Sequence, residues 1–111
     1  MTFKVVVNGC FGSYGVSELG ARWLLENGAS TDKVKVGRHS LGAMVTCDLE
    51  RHDPLLVRMV ETLGDGANGR AAKLYVHTLE QPLYRIDEYD GSESVEEPSH
   101  VEWIDASIKE A

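Results

Sequence analysis

Apolar and polar positions along this chain recur in two periods, and each change of period marks an element. Phe3-Lys4-Val5-Val6-Val7 is a short run, apolar apart from Lys4 and rich in β-branched residues. Such a run predicts a strand buried on both faces. Over residues 18–26 the period lengthens to that of a helix, which places Leu19, Trp23 and Leu24 on one side. Ser17 stands where a hydroxyl accepts from a free amide of the first turn. Gly20 occupies the position where a capping box has Glu or Gln, and Gly28 after Asn27 stops the helix. Lys33-Val34-Lys35-Val36 alternates, as an edge strand with outward lysines does. Residues 41–49 predict a strand centred on Val45, with Cys47 as a small buried hydrophobe.

Asp53-Pro54 is the clearest helix start: a capping carboxylate followed by a proline suited to the first helical position. Leu55, Leu56, Met59, Val60 and Leu63 then form one stripe, which Gly64 ends. Residues 72–79 alternate again, with Leu74 and Val76 on one face and Tyr75 and His77 on the other. Residues 83–89 and 92–95 flank Asp90-Gly91, a two-residue hairpin turn. Pro98 breaks this strand. Beyond it, residues 100–104 read as a last strand, or as part of an arm from about 97 to 111 that packs Trp103 and Ile104 on the body.

The order is β-α-β-β-α-β-β-β. Two amphipathic helices each need a surface to cover, and one sheet supplies it. The expectation is a single α+β domain over residues 1–111: a two-layer sandwich, mixed or mostly antiparallel, with both helices on one face. The first β-α-β step makes a right-handed crossover if its strands are parallel.

A chain of 111 residues, 42 % hydrophobic, builds one modest core and is not compositionally disordered. No apolar run reaches membrane-spanning length, and the first residues lack a signal peptide's pattern, so a cytoplasmic protein is expected. Cys10 and Cys47 are too few for a disulfide framework. The net charge of −7 is segregated. Residues 1–75 hold nine Lys/Arg and eight Asp/Glu, whereas residues 76–111 hold two and ten. A chain so poor in basic surface is a poor direct nucleic-acid binder. Its acidic final third suits either plain solvation or a partner protein with a basic surface.

Candidate chemistry gathers in two places. Residues 8–17 join the first strand to the first helix and contain Asn8, Gly9, Cys10, Gly12, Gly15 and Ser17. Such a loop, leading to a helix start, is able to nest an anion such as a phosphate-bearing small molecule. It matches neither the P-loop nor the dinucleotide fingerprint, so a tight structural turn is the competing reading. Arg51 and His52, ahead of the second helix, line the same site if both helices start on one edge. Cys10 is the one nucleophile candidate, for a small cysteine-dependent enzyme, but no catalytic motif surrounds it. The four histidines are scattered, and no metal or cofactor is expected. The second place is the hairpin. Asp87, Glu88, Asp90 and Glu93 are candidate partner contacts, with Tyr89 and Trp103 as aromatic anchors. Self-association as a homodimer is a further option.

Three stretches carry a resemblance: Val5-Val6-Val7-Asn8-x-Cys10-x-Gly12-x-x-Gly15-x-Ser17-Glu18, then Arg51-x-Asp53-Pro54-x-Leu56-Val57 with Val60-Glu61-x-Leu63-Gly64, then Ile86-Asp87-Glu88-Tyr89-Asp90-Gly91. Together they resemble a group of short, uncharacterised bacteriophage and prophage proteins, which carry Gly-Gly where this chain has Gly12-Ser13. The resemblance implies a phage accessory protein in a host cytoplasm. Its expected role is to bind and inhibit a host factor, such as an antiviral defence protein, as an anti-CRISPR does, without catalysis. The alternative is a nucleotide- or anion-binding module, or signal sponge, built on the glycine loop.

Overall fold

The computed structural model describes residues 2–40 and 42–98. Trp103, the expected final strand and all of the expected arm beyond Pro98 lie outside them. Six strands and two helices follow the expected order: β1 (Phe3–Asn8), α1 (Glu18–Glu26), β2 (Val34–His39), β3 (Gly42–Cys47), α2 (Pro54–Leu63), β4 (Leu74–Leu79), β5 (Arg85–Tyr89) and β6 (Ser92–Glu96). A 3-10 turn over Gly64–Ala67 follows α2. Among the described residues no helix is long and apolar enough to cross a membrane.

The fold is α+β and antiparallel, but its strands form three two-stranded ladders rather than one sheet. β1 pairs with β4, from Phe3↔Leu79 to Asn8↔Leu74. β2 pairs with β3, and β5 with β6. β1 and β2 are not neighbours, so the β1-α1-β2 step is not a parallel crossover. The reason lies on the second edge of β1. There the Val6 N–H donates to the Arg51 carbonyl at 2.8 Å, so the stretch before α2 stands where another strand would pair.

β1 nonetheless behaves as a central strand. Val5, Val6 and Val7 are fully buried. Side chains alternate across a strand, and so do their surroundings. Val6 enters the main core with Leu24, Leu56 and Met59. Val5 and Val7 face a second, smaller core with Leu79, covered by Phe3, Tyr84, Ile86 and Val95.

The helices start where expected. The Ser17 hydroxyl accepts from Gly20 N–H at 2.9 Å and donates to the Gly66 carbonyl at 2.6 Å. Asp53 accepts from Leu55 N–H at 2.8 Å, with Pro54 opening α2. The buried side of α1 is Gly20, Ala21 and Leu24, whereas Leu19 is 57 % exposed, against the expectation. Gly20 explains the rotation. A Cβ there would lie 2.8 Å from Val16 Cγ1 and 3.0 Å from Met59 Sδ, so only glycine lets α1 approach α2 along this line. That closeness offsets the roughly 1 kcal/mol that a mid-helix glycine costs relative to alanine.

Candidate functional site

The free edge of β1 is closed by side chains. Asn8 is wholly buried and fully used. Its Oδ1 accepts from Lys73 N–H at 2.8 Å, and its Nδ2 donates to the carbonyls of Gly91 at 2.8 Å and Cys10 at 3.1 Å. Its backbone N–H donates to Glu93 Oε1 at 2.9 Å. Arg51 then grips Glu93 at two points, Nη1 to Oε1 at 2.6 Å and Nη2 to Oε2 at 2.8 Å. Nη1 also reaches the Val6 carbonyl at 3.3 Å. The guanidinium lies 3.4 Å above the centre of the Tyr14 ring. One arginine therefore joins β1, the glycine loop and the β5–β6 hairpin. Planar two-point pairing with a carboxylate beneath stacking on an aromatic ring is a combination lysine cannot supply.

The electrostatics follow from this geometry. Burial pushes the Glu93 carboxyl up, but hydrogen bonds from Arg51 and from Asn8 N–H hold it below the ordinary glutamate value. Burial alone would lower Arg51; its hydrogen bond with Glu93 and the electrostatic influence of Tyr14 leave it raised instead. Burial raises the Tyr14 phenol, and the nearby Cys47 adds to the effect. The Tyr14 hydroxyl has no hydrogen-bond partner among the described residues.

The sequence placed Asn8, Gly9, Cys10, Gly12, Gly15, Ser17 and Arg51 around one site; Asn8, Gly9, Cys10, Gly12 and Arg51 sit in or beside this joint, whereas Gly15 meets Gly69 and Ser17 bonds the turn after α2. The loop's amides turn inward: Gly9 N–H donates to the Lys73 carbonyl at 2.8 Å, Ser13 N–H to Ala71 at 3.0 Å and Ser17 N–H to Ala67 at 2.9 Å. Its glycines mark where backbone meets backbone. A Cβ on Gly12 would strike the Ala71 carbonyl, one on Gly91 would strike the Gly12 carbonyl, and one on Gly69 would lie 2.7 Å from the Gly15 carbonyl carbon. The anion held between the loop and Arg51 is the chain's own Glu93 carboxylate. Cys10 Sγ lies 3.3 Å from Asn8 Oδ1 and 3.2 Å from the Ala71 carbonyl, within the same joint.

His52 does not join. It turns to Tyr84, with Nδ1 2.7 Å from the phenol oxygen and the rings edge to face at 5.8 Å. On the hairpin, register separates the candidates. Glu88 and Glu93 are cross-strand partners and share a face with Ile86 and Val95, while Asp87 and Tyr89 fall on the other. Glu93 is thus drawn into the joint, and its side chain is only 9 % exposed. Asp87, Glu88 and Asp90 are exposed, and Tyr89 is 78 % exposed. Among the described residues no cluster of three or more His, Cys, Asp or Glu is arranged to hold a metal.

Two participants escaped the sequence reading. Tyr14 was passed over, although an aromatic among three loop glycines was the available signal. The stretch between α2 and β4 is the other: its Ala67, Ala71 and Lys73 carbonyls receive the loop. Searches of protein-family models, curated proteins and solved structures give no match to this chain.

Proposed function

We propose that this chain is a non-catalytic binding protein whose acidic hairpin engages a basic surface on a partner protein. In the phage setting that the sequence resemblance implies, that partner is a host factor, and binding blocks it as an anti-CRISPR blocks its target. One observation carries the reading. Asp87, Glu88 and Asp90 stand exposed around Tyr89, with no cationic partner among the described residues, at the turn end of a hairpin that Arg51–Glu93 and Asn8–Gly91 fasten to the body at that same end. An interface element ordered in advance loses less freedom on binding. Unpaired like charges on it steer association toward an opposite field. The glycine loop favours the anion-module alternative less, because Glu93 already occupies its arginine and three of its amides bond within the chain.

The test is capture of the partner from host lysate, followed by association kinetics of the purified pair at low and high salt. The expected result is association that weakens steeply with salt and slows about tenfold when Asp87 and Glu88 are reversed to Lys. An unchanged rate at low salt for the reversed protein, with a partner surface that proves neutral or acidic, overturns it.

A further inference from the structure

A second site lies away from the hairpin tip, on the seam between the two cores. An open groove of about 610 Å³ runs there, within the size range of small-molecule sites. Its walls come from β1, α2 and β4: Phe3, Val5, Pro54, Val57 and Leu79. Val57 belongs to the main core and Val5 and Leu79 to the smaller one, so the groove is where the two fail to merge.

Its polar lining holds two cationic side chains, an imidazole and a phenol. Among the described residues Lys4, His52, Arg58 and Tyr84 line it and no Asp or Glu does, in a chain whose net charge is −7. Lys4 is paired with Glu61 at 2.7 Å. Arg58 has no carboxylate partner among the described residues; its guanidinium rests 5.8 Å from the Trp23 ring. If the Tyr84 hydroxyl donates to His52 Nδ1, across their 2.7 Å separation, the neutral imidazole keeps its proton on Nε2 as a further donor. Apolar walls with a cation that has no carboxylate partner among the described residues, and a hydrogen-bond donor at the margin, complement a ligand with an apolar body and one anionic head.

We propose that this groove binds a small amphipathic carboxylate, its alkyl or aryl body between β1 and α2 and its carboxylate against Arg58 and His52. This site is independent of the hairpin and its partner.

Calorimetry on the full chain tests it, using octanoate, octanol and octylammonium as probes, with amide shift mapping alongside. Octanoate binds saturably, one molecule per chain, and perturbs the amides that line the groove. Octanol and octylammonium bind at least about tenfold more weakly. Arg58→Gln weakens octanoate about tenfold and leaves octanol unchanged, as loss of a charge contact does. His52→Ala weakens octanoate independently of the Arg58 contact with Trp23. The proposal is overturned by absence of saturable binding, by equal affinity for all three probes, or by shifts outside the groove. It is also overturned if Trp103→Ala strengthens octanoate binding tenfold, since the chain's own C-terminal segment would then be the occupant.

Discussion

Arg51 and Glu93, 42 positions apart, form a two-point ion pair that closes the free edge of β1 and fastens the β5–β6 hairpin to the body. Their side chains are 22 % and 9 % exposed. A pair so sheltered behaves differently from the surface pairs Arg22–Glu18 and Arg85–Glu96, which contribute little.

Removing one partner leaves the other charge sheltered and alone. Arg51→Ala is expected to cost about 2–4 kcal/mol in urea unfolding, somewhat under the figure for a wholly buried pair because Arg51 keeps some solvent. Arg51→Met with Glu93→Leu should recover part of this, but not all, since Asn8 N–H then loses its acceptor.

Acid should release the hairpin. The Glu93 pKa is depressed in the folded chain, so the carboxylate's stabilisation is fully present above its ordinary value of 4.5. It is lost as pH falls below that value and through the lower folded one. Melting temperatures measured from neutral pH down to about pH 3 should therefore fall more steeply in the wild type than in Glu93→Gln over that acidic window.

Tyr14 offers a substitution that stabilises. Its ring stacks under Arg51, but its buried hydroxyl has no partner among the described residues. Tyr14→Phe keeps the ring and removes the orphaned group, for an expected gain of about 1 kcal/mol. Tyr14→Leu loses the stacked cation and should cost about 2 kcal/mol.

Two glycines separate packing from backbone conformation. Gly12→Ala drives a methyl into the Ala71 carbonyl, and an unfolding cost of about 3 kcal/mol is expected. Gly28→Ala meets open space, and only its φ of 104° resists, so about 1 kcal/mol is expected. Equal costs would show that the loop yields around Gly12.

At the hairpin tip, Tyr89→Ser should leave stability within about 0.5 kcal/mol, because the ring is exposed. Affinity for a captured partner should fall by about 2 kcal/mol, mainly through faster dissociation, if Tyr89 is the aromatic anchor.

What the sequence made legible was local. Ser17, Asp53-Pro54 and Asp90-Gly91 each act within a few residues, so caps and turn could be read directly. Pairing was not local. Nothing near β1 says that β4 is its neighbour, or that Arg51 takes the other edge. Leu19 was misplaced because the facing of α1 is decided by Gly20 against Met59, a contact between helices. Glu93 was read by its charge, as one more acid on an exposed hairpin. Its spacing from Val95, two residues on, already put it on the inner face.

β1 also constrains the order of events during synthesis. It leaves the ribosome before β4, Arg51 and Glu93, the groups that satisfy its two edges. The β2–β3 and β5–β6 hairpins, by contrast, close among neighbours and need no distant partner. Three consecutive valines and their strand edges thus stay unsheltered until Arg51, β4 and Glu93 have followed, the interval in which a chaperone has most to protect.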